Sequence, residues 1–340
     1  MQTASEEPCA TRGNGPIIAA MPLYNEEETV GSVVLQAKRH VDKVLCLDDG
    51  SSDASARIAR KCGAQVHQHR YNRGYGGALK SIFAIARELD AEVLVILDSD
   101  GQHNPNDIPA LLAPILDGRA DFVIGSRFID GGSGDAMPSY RKLGVKVIST
   151  ASNLASNLGI KDTQSGYRAF SRRALKRLRF EQDGMESTLE MLEECASNDL
   201  TVHEVPTVVR YDVPKGSRFT AMSHGFTVLS YALVSLSQKK PLIVFGAPGA
   251  ALLSLGAGIG MRALNSVNQL TDGTVSLDVG PGLTAAWIGM LGISLMFTGI
   301  ILHTARHILR RLLLTNFGID CRPRIRSRRT KVLRTLDGGP

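Results

Sequence analysis

The segment VLVILDSDGQH ends an apolar run with Asp98, Asp100 and Gln102. Two carboxylates and an amide at alternate positions offer the hard oxygen ligands that a divalent cation takes, and such a cation can neutralise a bound diphosphate. Ending a buried strand with two acids costs free energy unless something cationic meets them. The spacing therefore predicts a metal site, with a solvated turn as the alternative interpretation of the D-x-D triplet.

Polar residues also follow three other apolar runs. Tyr24 to Glu26 follow IIAAMP, Asp48 and Asp49 end KVLCLDD, and Arg127 follows DFVIGS. Asn25 and the acids after it are also typical of a helix start, where a cap and negative charge are favourable. Helix capping does not explain Asp48 and Asp49 at the end of a strand. The polar residues that follow these three strands are therefore candidate site residues, as Asp98 is.

The elements that must position these residues form an alternating pattern. The runs IIAAMP, KVLCLDD, AQVHQH, EVLVILD and DFVIGS predict buried strands, and the stretches between them predict helices. Such alternation predicts an α/β fold with a mainly parallel sheet covered on both faces. Ligands bind at the carboxyl ends of such strands, so four polar strand ends should meet at one rim. Further elements are predicted as a helix over Arg141–Leu158, an irregular DTQSGYRAF segment, a helix over Ser187–Ala196 and a strand over Val202–Arg210.

Charge and cysteine content exclude several classes of protein. The 340 residues are 43% hydrophobic and 21% charged, which disfavours disorder, collagen and coiled coil. The net charge is +6, but the chain after His303 carries +8 and the rest −2. A near-neutral body lacks the basic face of a nucleic-acid-binding protein, whereas a basic cluster after an apolar segment is typical of contact with anionic lipid. Five scattered cysteines indicate neither a zinc site nor a disulfide framework, and fit reduced thiols facing a cytosol.

Two uncharged stretches near the C-terminus predict membrane spans. Pro241–Met261 and Val279–Leu302 hold 21 and 24 residues, enough as helices for a hydrocarbon core of about 30 Å. Buried core helices are the alternative, but basic residues flank the pair, and this bias puts the N-terminal domain and both termini in the cytosol. The predicted organisation is a disordered N-terminus (1–15), a catalytic domain (16–218), a juxtamembrane amphipathic helix (219–240), a two-helix transmembrane hairpin (241–303) and a basic cytosolic tail (304–340).

PLYNEE, LDDGSSD and LDSDGQH, in this order and spacing, resemble the family 2 glycosyltransferases of GT-A fold. The later segments IGSRF, DTQSGYR and RYDVPKGSR are similar to those of dolichol-phosphate mannose and dolichol-phosphate glucose synthases. The resemblance spans about Ile17 to Arg218. It implies inverting transfer of a hexose from a nucleotide sugar to dolichyl or polyprenyl phosphate, with Mg²⁺ or Mn²⁺ as cofactor. Glucose is slightly favoured over mannose, and UDP and GDP donors both remain open.

The resemblance also implies roles for the residues at matching positions. The nucleotide sugar would contact Pro22, Tyr24, Glu26, Asp49, Asp98 and Arg218. The metal would be held by Asp98, Asp100 and Gln102, and the acceptor phosphate by Arg127, Arg141 and Arg168. Catalytic roles fall to Asp100, Arg127 and Asp162. For each arginine taken alone, a surface charge is the alternative interpretation.

The predicted chemistry requires no strong protein base. A phosphate monoester has its second pKa near about 6, so the acceptor is largely dianionic at neutral pH. Gly74–Gly77 lacks the third small residue of a dinucleotide fingerprint, because Leu79 stands there, and predicts instead a tight helix start near the sugar. Two other functions stay open: a non-catalytic membrane scaffold with a nucleotide-sugar-binding fold, and a glycosyltransferase for another lipid-linked or polysaccharide acceptor. A processive synthase would carry Q-x-x-R-W, whereas Trp287, the one tryptophan, lies in a predicted span.

Overall fold

A computed structural model describes residues 14–132, 137, 139–156, 158–210, 221–268 and 279–317. Within these residues the strands are β1 Ile17–Leu23, β2 Lys43–Asp48, β3 Gln65–Gln68, β4 Val93–Ile96, β5 Phe122–Ser126, β6 Arg168–Ser171 and β7 Val202–Pro206. The α-helices are α1 Val30–Ala37, α2 Ser55–Lys61, α3 Gly74–Glu88, α4 Ile108–Leu116, α5 Ser139–Ser156, α6 Arg172–Arg177, α7 Ser187–Ser197, α8 Ala221–Lys239, α9 Ala247–Asn268 and α10 Val279–Phe317.

The seven strands form one sheet in the order β3-β2-β1-β4-β6-β5-β7. Every neighbouring pair is parallel except those made by β6, which runs antiparallel between β4 and β5. The predicted α/β fold with a mainly parallel sheet is therefore confirmed. All five predicted strands form, but the prediction that they are buried is wrong for β3, which lies at the edge of the sheet and has no buried residue. The prediction of an irregular DTQSGYRAF segment is wrong for its last residues, because β6 begins at Arg168.

The central strand β1 shows why these runs are apolar throughout. Ile18 and Ala20 belong to the core on one face of the sheet, and Ile17, Ala19 and Met21 belong to the core on the other. Successive side chains of a strand point to opposite faces, so a strand covered on both sides is apolar at every position. Helices packed on both faces thus leave the strand ends as the exposed edge.

The described residues fall into two compact units, with the boundary between Ala232 and Leu233 inside α8. Leu229 and Tyr231, in the first part of α8, pack against the core that contains Phe83 and Phe170. The first part of α8 therefore belongs structurally to the sheet-containing unit, although the sequence predicts the whole helix as a juxtamembrane element.

The second unit contains α9 and α10, and a π-helical turn at Leu242–Gly246 precedes α9. Leu242–Asn265 and Gly280–Arg306 are long and apolar enough to cross a membrane, with mean hydropathies of 1.9 and 2.0. This confirms the prediction of two apolar C-terminal helices. A Cβ atom on Gly292 would lie 2.7 Å from the carbonyl oxygen of Gly249, so these glycines let the two backbones approach closely.

The basic flanks of the two apolar helices meet at one end of this unit. Arg306 lies in α10 at the end of its apolar stretch, and its Nη1 donates hydrogen bonds to the carbonyl oxygens of Gln238, at 3.3 Å, and Lys239. Lys239 and Lys240 immediately precede the first helix. The helices therefore form an antiparallel hairpin whose basic residues share one end.

Candidate active site

The residues Asp98 to His103, called the acidic loop below, follow β4 directly. Two internal hydrogen bonds close this loop: Gln102 N donates to Asp100 Oδ1 at 2.9 Å, and Asp98 N donates to His103 Nδ1 at 3.1 Å. Gly101 turns the chain with a φ of +79°, a conformation that glycine adopts without strain. The loop is therefore a compact turn that presents two carboxylates at the end of a buried strand.

Hydrogen bonds join the acidic loop to the ends of the neighbouring strands. Ser99 Oγ donates to the carbonyl oxygen of Pro22 at 2.8 Å, and Thr29 Oγ1 donates to the carbonyl oxygen of Ser99 at 2.7 Å. Asn25 N donates to Ser51 Oγ at 3.0 Å, which connects the β1 and β2 ends. The structure thus brings the predicted polar strand ends onto one rim.

The two aspartates of the loop have strongly perturbed titration. Burial raises the pKa of Asp98 to about 6, although the positive charges of Arg168 and Arg127 act in the opposite direction. Burial and the negative charge of Asp98 raise the pKa of Asp100 to about 6 as well. Ionising both carboxyls therefore costs free energy, and a cation between them would recover that cost.

The donor set of the acidic loop fits a hard divalent cation. Two carboxylates and a glutamine amide are oxygen donors, which Mg²⁺ and Mn²⁺ prefer. Among the described residues, no group of three or more His, Cys, Asp and Glu could hold a metal. A cation here would therefore complete its coordination with water and with oxygens of a bound phosphate, as Mg²⁺ commonly does.

Arg127 and Asp162 form a bidentate ion pair at the end of β5. Asp162 Oδ2 accepts from Arg127 Nε at 2.7 Å and from Arg127 N at 3.0 Å, and Asp162 Oδ1 accepts from Arg127 Nη2 at 2.8 Å. The Asp162 side chain is 0% exposed and that of Arg127 is 13% exposed. The Asp162 oxygens therefore fix the direction of Arg127, and the predicted catalytic role of Asp162 stays a prediction.

Glu204 holds the other side of this pair. Its two carboxylate oxygens accept from Lys161 N at 2.9 Å and from Asp162 N at 3.0 Å. Because Glu204 lies on β7, the turn that carries Asp162 is anchored to the sheet. The ion pair is consequently supported from two strands, β5 and β7.

Arg168 is buried and does not line the rim. Its residue is 2% exposed, and its guanidinium donates to the carbonyl oxygens of Ser165 at 2.8 Å, Thr163 at 2.9 Å and Thr188 at 3.1 Å. Three backbone carbonyls thus already accept from this guanidinium, and the prediction that Arg168 binds the acceptor phosphate stays a prediction. Arg168 fixes the turn before β6 and lies close enough to Asp98 to favour its ionised form.

Asp49 is also buried, with 4% of its residue exposed. It accepts from His69 Nδ1 at 2.6 Å and from the backbone amides of Arg73 and Gly74, each at 2.9 Å. Its oxygens hold β2, the β3 end and the start of α3 together, and the predicted contact of Asp49 with a base or ribose stays a prediction. His69 completes this network through Nε2, which lies 2.8 Å from Ser81 Oγ.

The glycine-rich start of α3 has an internal partner. The amides of Gly76 and Gly77 donate to the carbonyl oxygen of Asp183 at 2.7 and 3.3 Å. A Cβ atom on Gly74 would lie 2.8 Å from the same oxygen, which explains the need for glycine at this close approach. The tight helix start is as predicted, and its amides bind the protein's own backbone. The expected position near the sugar stays a prediction.

The remaining predicted site residues lie at different places on or near the rim. Tyr24 follows β1 and is 41% exposed. Glu26 precedes α1, and its amide donates to Ser55 Oγ at 2.8 Å. Arg141 lies in α5, but its side chain is outside the described residues, as is the whole of Arg218. The roles predicted for these four residues stay predictions.

Three residues that the sequence does not single out surround the acidic loop. A Cβ atom on Gly166 would lie 2.9 Å from Asp98 Oδ2, so the backbone there faces the carboxylate directly. The ring of Tyr167 stacks on His103 with centroids 4.9 Å apart. Burial raises the pKa of the Tyr75 phenol, and the negative charge of Asp98 raises it further, so this phenol is electrostatically coupled to the loop. Their only sequence signal is membership of the DTQSGYR and RGYGG segments.

The arrangement of strands is shared with a solved enzyme structure. The crystal structure of glucosyl-3-phosphoglycerate synthase from Mycobacterium tuberculosis, in complex with Mn²⁺, UDP and phosphoglyceric acid, matches with a TM-score of 0.53 and 23% sequence identity. The match covers 66% of this chain and 79% of that chain. The sheet-containing unit therefore has the fold of a GT-A glycosyltransferase.

Sequence relatives narrow this class to a family. The model of glycosyl transferase family 2 matches residues 19–179. The UDP-N-acetylglucosamine–dolichyl-phosphate N-acetylglucosaminyltransferase of Methanococcus voltae is 32% identical over 246 residues, covering 66% of this chain and 98% of the relative. The polyprenol monophosphomannose synthase of Mycolicibacterium smegmatis is 31% identical over 216 residues, covering 60% of this chain and 81% of the relative. The chain belongs to glycosyl transferase family 2.

Proposed function

We propose that this protein transfers a hexose from a nucleotide sugar to a dolichyl or polyprenyl phosphate, with inversion at the anomeric carbon. The observation that carries the proposal is the pair of carboxylates in the acidic loop, backed by the cations of Arg127 and Arg168. Two relatives that match most of their own length are named for transfer to dolichyl phosphate or for polyprenol monophosphomannose synthesis. The donor would be of the UDP-glucose or GDP-mannose type, with glucose slightly favoured.

Asp98, Asp100 and Gln102 would hold Mg²⁺ or Mn²⁺ against the donor diphosphate. When bound, the cation would neutralise negative charge on the departing nucleoside diphosphate. Tyr24 and Glu26 lie on the same rim and are proposed to contact the nucleotide, together with Pro22. Arg218 is proposed to contact the donor phosphates, on the strength of the family motif alone.

The chemical step requires stabilisation of the negative charges on the acceptor phosphate and the departing diphosphate, and it requires no general base. The acceptor phosphate is largely a dianion at neutral pH, so its oxygen attacks the anomeric carbon without losing a proton to the protein. Arg127, held by Asp162, is proposed to receive this phosphate, with Arg141 as a second cation. The occupied lone pairs of Asp162 agree with this mechanism, because its carboxylate is committed to Arg127.

A lipid-linked acceptor fits a chain that carries two apolar helices. We propose that α9 and α10 cross a membrane as a hairpin, with the catalytic domain and both termini in the cytosol. The shared basic end of the hairpin supports this orientation, because cytosolic flanks are enriched in Lys and Arg. Lipids are therefore proposed partners, and nucleic acid is not proposed, because the chain before the basic tail carries a net charge of −2.

The proposal is tested with the full-length chain purified in detergent. Labelled UDP-glucose, UDP-N-acetylglucosamine and GDP-mannose are each incubated with dolichyl phosphate and Mn²⁺, and the lipid fraction is counted. One donor should give a labelled lipid that mild acid hydrolyses, and Asp100→Asn should lower the rate at least about 100-fold, as expected for loss of a metal ligand. Asp117→Asn is the matched control, because this aspartate is 54% exposed beside Arg119 and lies at the opposite end of β5.

Three results would contradict the proposal. If the Asp100→Asn variant transferred label at the wild-type rate, the assignment of Asp100 to a metal site would be wrong. Release of free hexose without a labelled lipid, for every donor, would point to a different acceptor, and absence of any turnover would reopen the scaffold alternative.

A further inference from the structure

We infer that His103 is a positioning residue for the metal-binding carboxylate of Asp98, and that Tyr167 holds His103 in the required orientation. This inference rests on the metal site of the proposed function and goes beyond it, because neither residue is a proposed ligand. It is carried by the hydrogen bond that closes the acidic loop, by an aromatic stack and by the burial of both rings.

The hydrogen bond fixes the tautomer of His103. A backbone amide can only donate, so the 3.1 Å contact from Asp98 N makes His103 Nδ1 an acceptor. The proton of the neutral ring is then on Nε2. The same Nδ1 lies 3.6 Å from Asp98 Oδ2, but an unprotonated nitrogen gives that carboxylate no ion pair. His103 therefore acts on the backbone of Asp98, and the carboxylate is left for another partner.

The hydrogen bond from Asp98 N to His103 Nδ1 lies just beyond the end of β4, where the sheet no longer supplies backbone acceptors. The β4 ladder ends at Ile96, and Leu97 N still finds the carbonyl oxygen of Ala20 at 3.1 Å. Asp98 N is the next amide, and the His103 ring takes the place of a strand carbonyl. Because the direction of the Asp98 side chain follows from its backbone, this hydrogen bond sets where the carboxylate points.

Tyr167 fixes the plane of the imidazole. The two rings stack at 4.9 Å with 27° between their planes, and Tyr167 is 1% exposed. The Tyr167 hydroxyl donates to the carbonyl oxygen of Asn104 at 3.0 Å, directly after the loop, and the Tyr167 carbonyl accepts from Gly125 N of β5 at 2.8 Å. A line of contacts thus runs from β5 through Tyr167 and His103 to Asp98.

Groups of this kind, which orient a metal ligand without binding the metal, typically change metal affinity 10–100-fold when removed. Two amide substitutions separate this role from simple packing. Asn places its side-chain oxygen near the position of Nδ1, whereas Gln places it near Nε2, and both lose the aromatic stack equally. Only His103→Asn can still accept from Asp98 N.

The experiment measures Mn²⁺ binding to the full-length chain by the loss of the free Mn²⁺ signal in electron paramagnetic resonance. His103→Gln should weaken Mn²⁺ binding about tenfold or more, and His103→Asn should stay within about threefold of wild type. At saturating Mn²⁺, transfer by His103→Gln should recover most of the wild-type rate, since His103 touches no substrate. Thermal unfolding without metal should be lowered similarly in both variants.

Each outcome bears on one part of the reasoning. Equal Mn²⁺ affinity in the Asn and Gln variants would overturn the positioning role, while a wild-type chain that binds no Mn²⁺ would overturn the metal site itself and the proposed function with it. Should both variants fail to fold, Tyr167→Phe keeps the ring and removes only the hydroxyl contact with Asn104. That variant should weaken Mn²⁺ binding by about fivefold, the equivalent of one hydrogen bond, and a change of less than about threefold would refute the inference.

Discussion

Adding one methyl group at Gly166 should disturb the acidic loop without unfolding the protein. The new Cβ atom would lie 2.9 Å from Asp98 Oδ2 and 3.3 Å from Asp98 Oδ1. A comfortable separation is about 3.5 Å, so the carboxylate must move by about half an ångström. The φ of Gly166 is outside the left-handed region, so alanine adds no backbone strain there.

A shift of this size matters because metal coordination tolerates only small changes in the distance between ligand and metal. Ligand distances in a functional site hold to within about 0.2 Å. Gly166→Ala should therefore weaken Mn²⁺ binding about tenfold, which corresponds to about 1.4 kcal/mol. Transfer at limiting Mn²⁺ should fall by a similar factor and recover when Mn²⁺ is raised.

Paired titrations test this prediction on the full-length chain. Mn²⁺ affinity and initial transfer rates are measured over a range of Mn²⁺ concentrations, with thermal unfolding as a measure of folding. Gly258→Ala is the control, since a Cβ atom there meets nothing within 4 Å. Unchanged Mn²⁺ affinity in Gly166→Ala, with normal folding, would refute the claim that Asp98 binds the metal in the observed conformation.

Three other perturbations address the ion pair, the carboxylates and the apolar hairpin. Asp162→Asn should lower the free energy of unfolding by about 3 kcal/mol in urea titrations, because it leaves a largely buried Arg127 without its counter-charge; a loss below about 1 kcal/mol would contradict this. The acidic-loop carboxyls have pKa values near 6, above the ordinary 3.8, so their contribution favours folding at low pH and is lost as the pH rises through about 6. Mn²⁺ should therefore raise the melting temperature more at pH 7 than at pH 5, and the reverse order would be evidence against metal binding there. Gly292→Leu should lower the melting temperature of the chain in detergent, because a Cβ atom would meet the facing backbone at 2.6 Å, whereas Gly282→Leu on the same helix has open space and should not.

Much of the fold could be predicted because its signals are local. Four of the five predicted strands are short apolar runs covered on both faces of the sheet, where period-two alternation disappears, and the edge strand β3 is partly exposed. The two apolar C-terminal helices follow from length and composition in the same way. The antiparallel β6 could not be recognised, because its four residues include a charged Arg168 and its partners lie more than 40 residues away in the chain.

The site was predicted as a region, but several individual roles depend on contacts that only the fold creates. Arg168 was expected to reach a phosphate, since arginine is rarely buried. In the structure three backbone carbonyls surround its guanidinium and satisfy it inside the protein. Asp49 likewise meets His69 and the start of α3, which are 20 or more residues away. Residue type and spacing indicate which functional groups are present, but not which of them already form hydrogen bonds within the protein.

The antiparallel direction of β6 explains why the DTQSGYR segment supports the acidic loop. In register, Arg168 at the start of β6 lies beside Ile96 of β4 and Ile124 of β5. The residues before β6 must therefore emerge at the carboxyl ends of its parallel neighbours, which is the edge where ligands bind in this type of sheet.

A parallel strand in the same position would have delivered this segment to the opposite edge. Because β6 is antiparallel, the segment before it lies at the edge that carries the acidic loop. There Asp162 contacts Arg127, Gly166 faces Asp98, and Tyr167 stacks on His103. The antiparallel strand β6 is thus the reason why one segment, DTQSGYR, supports both the acidic loop and Arg127.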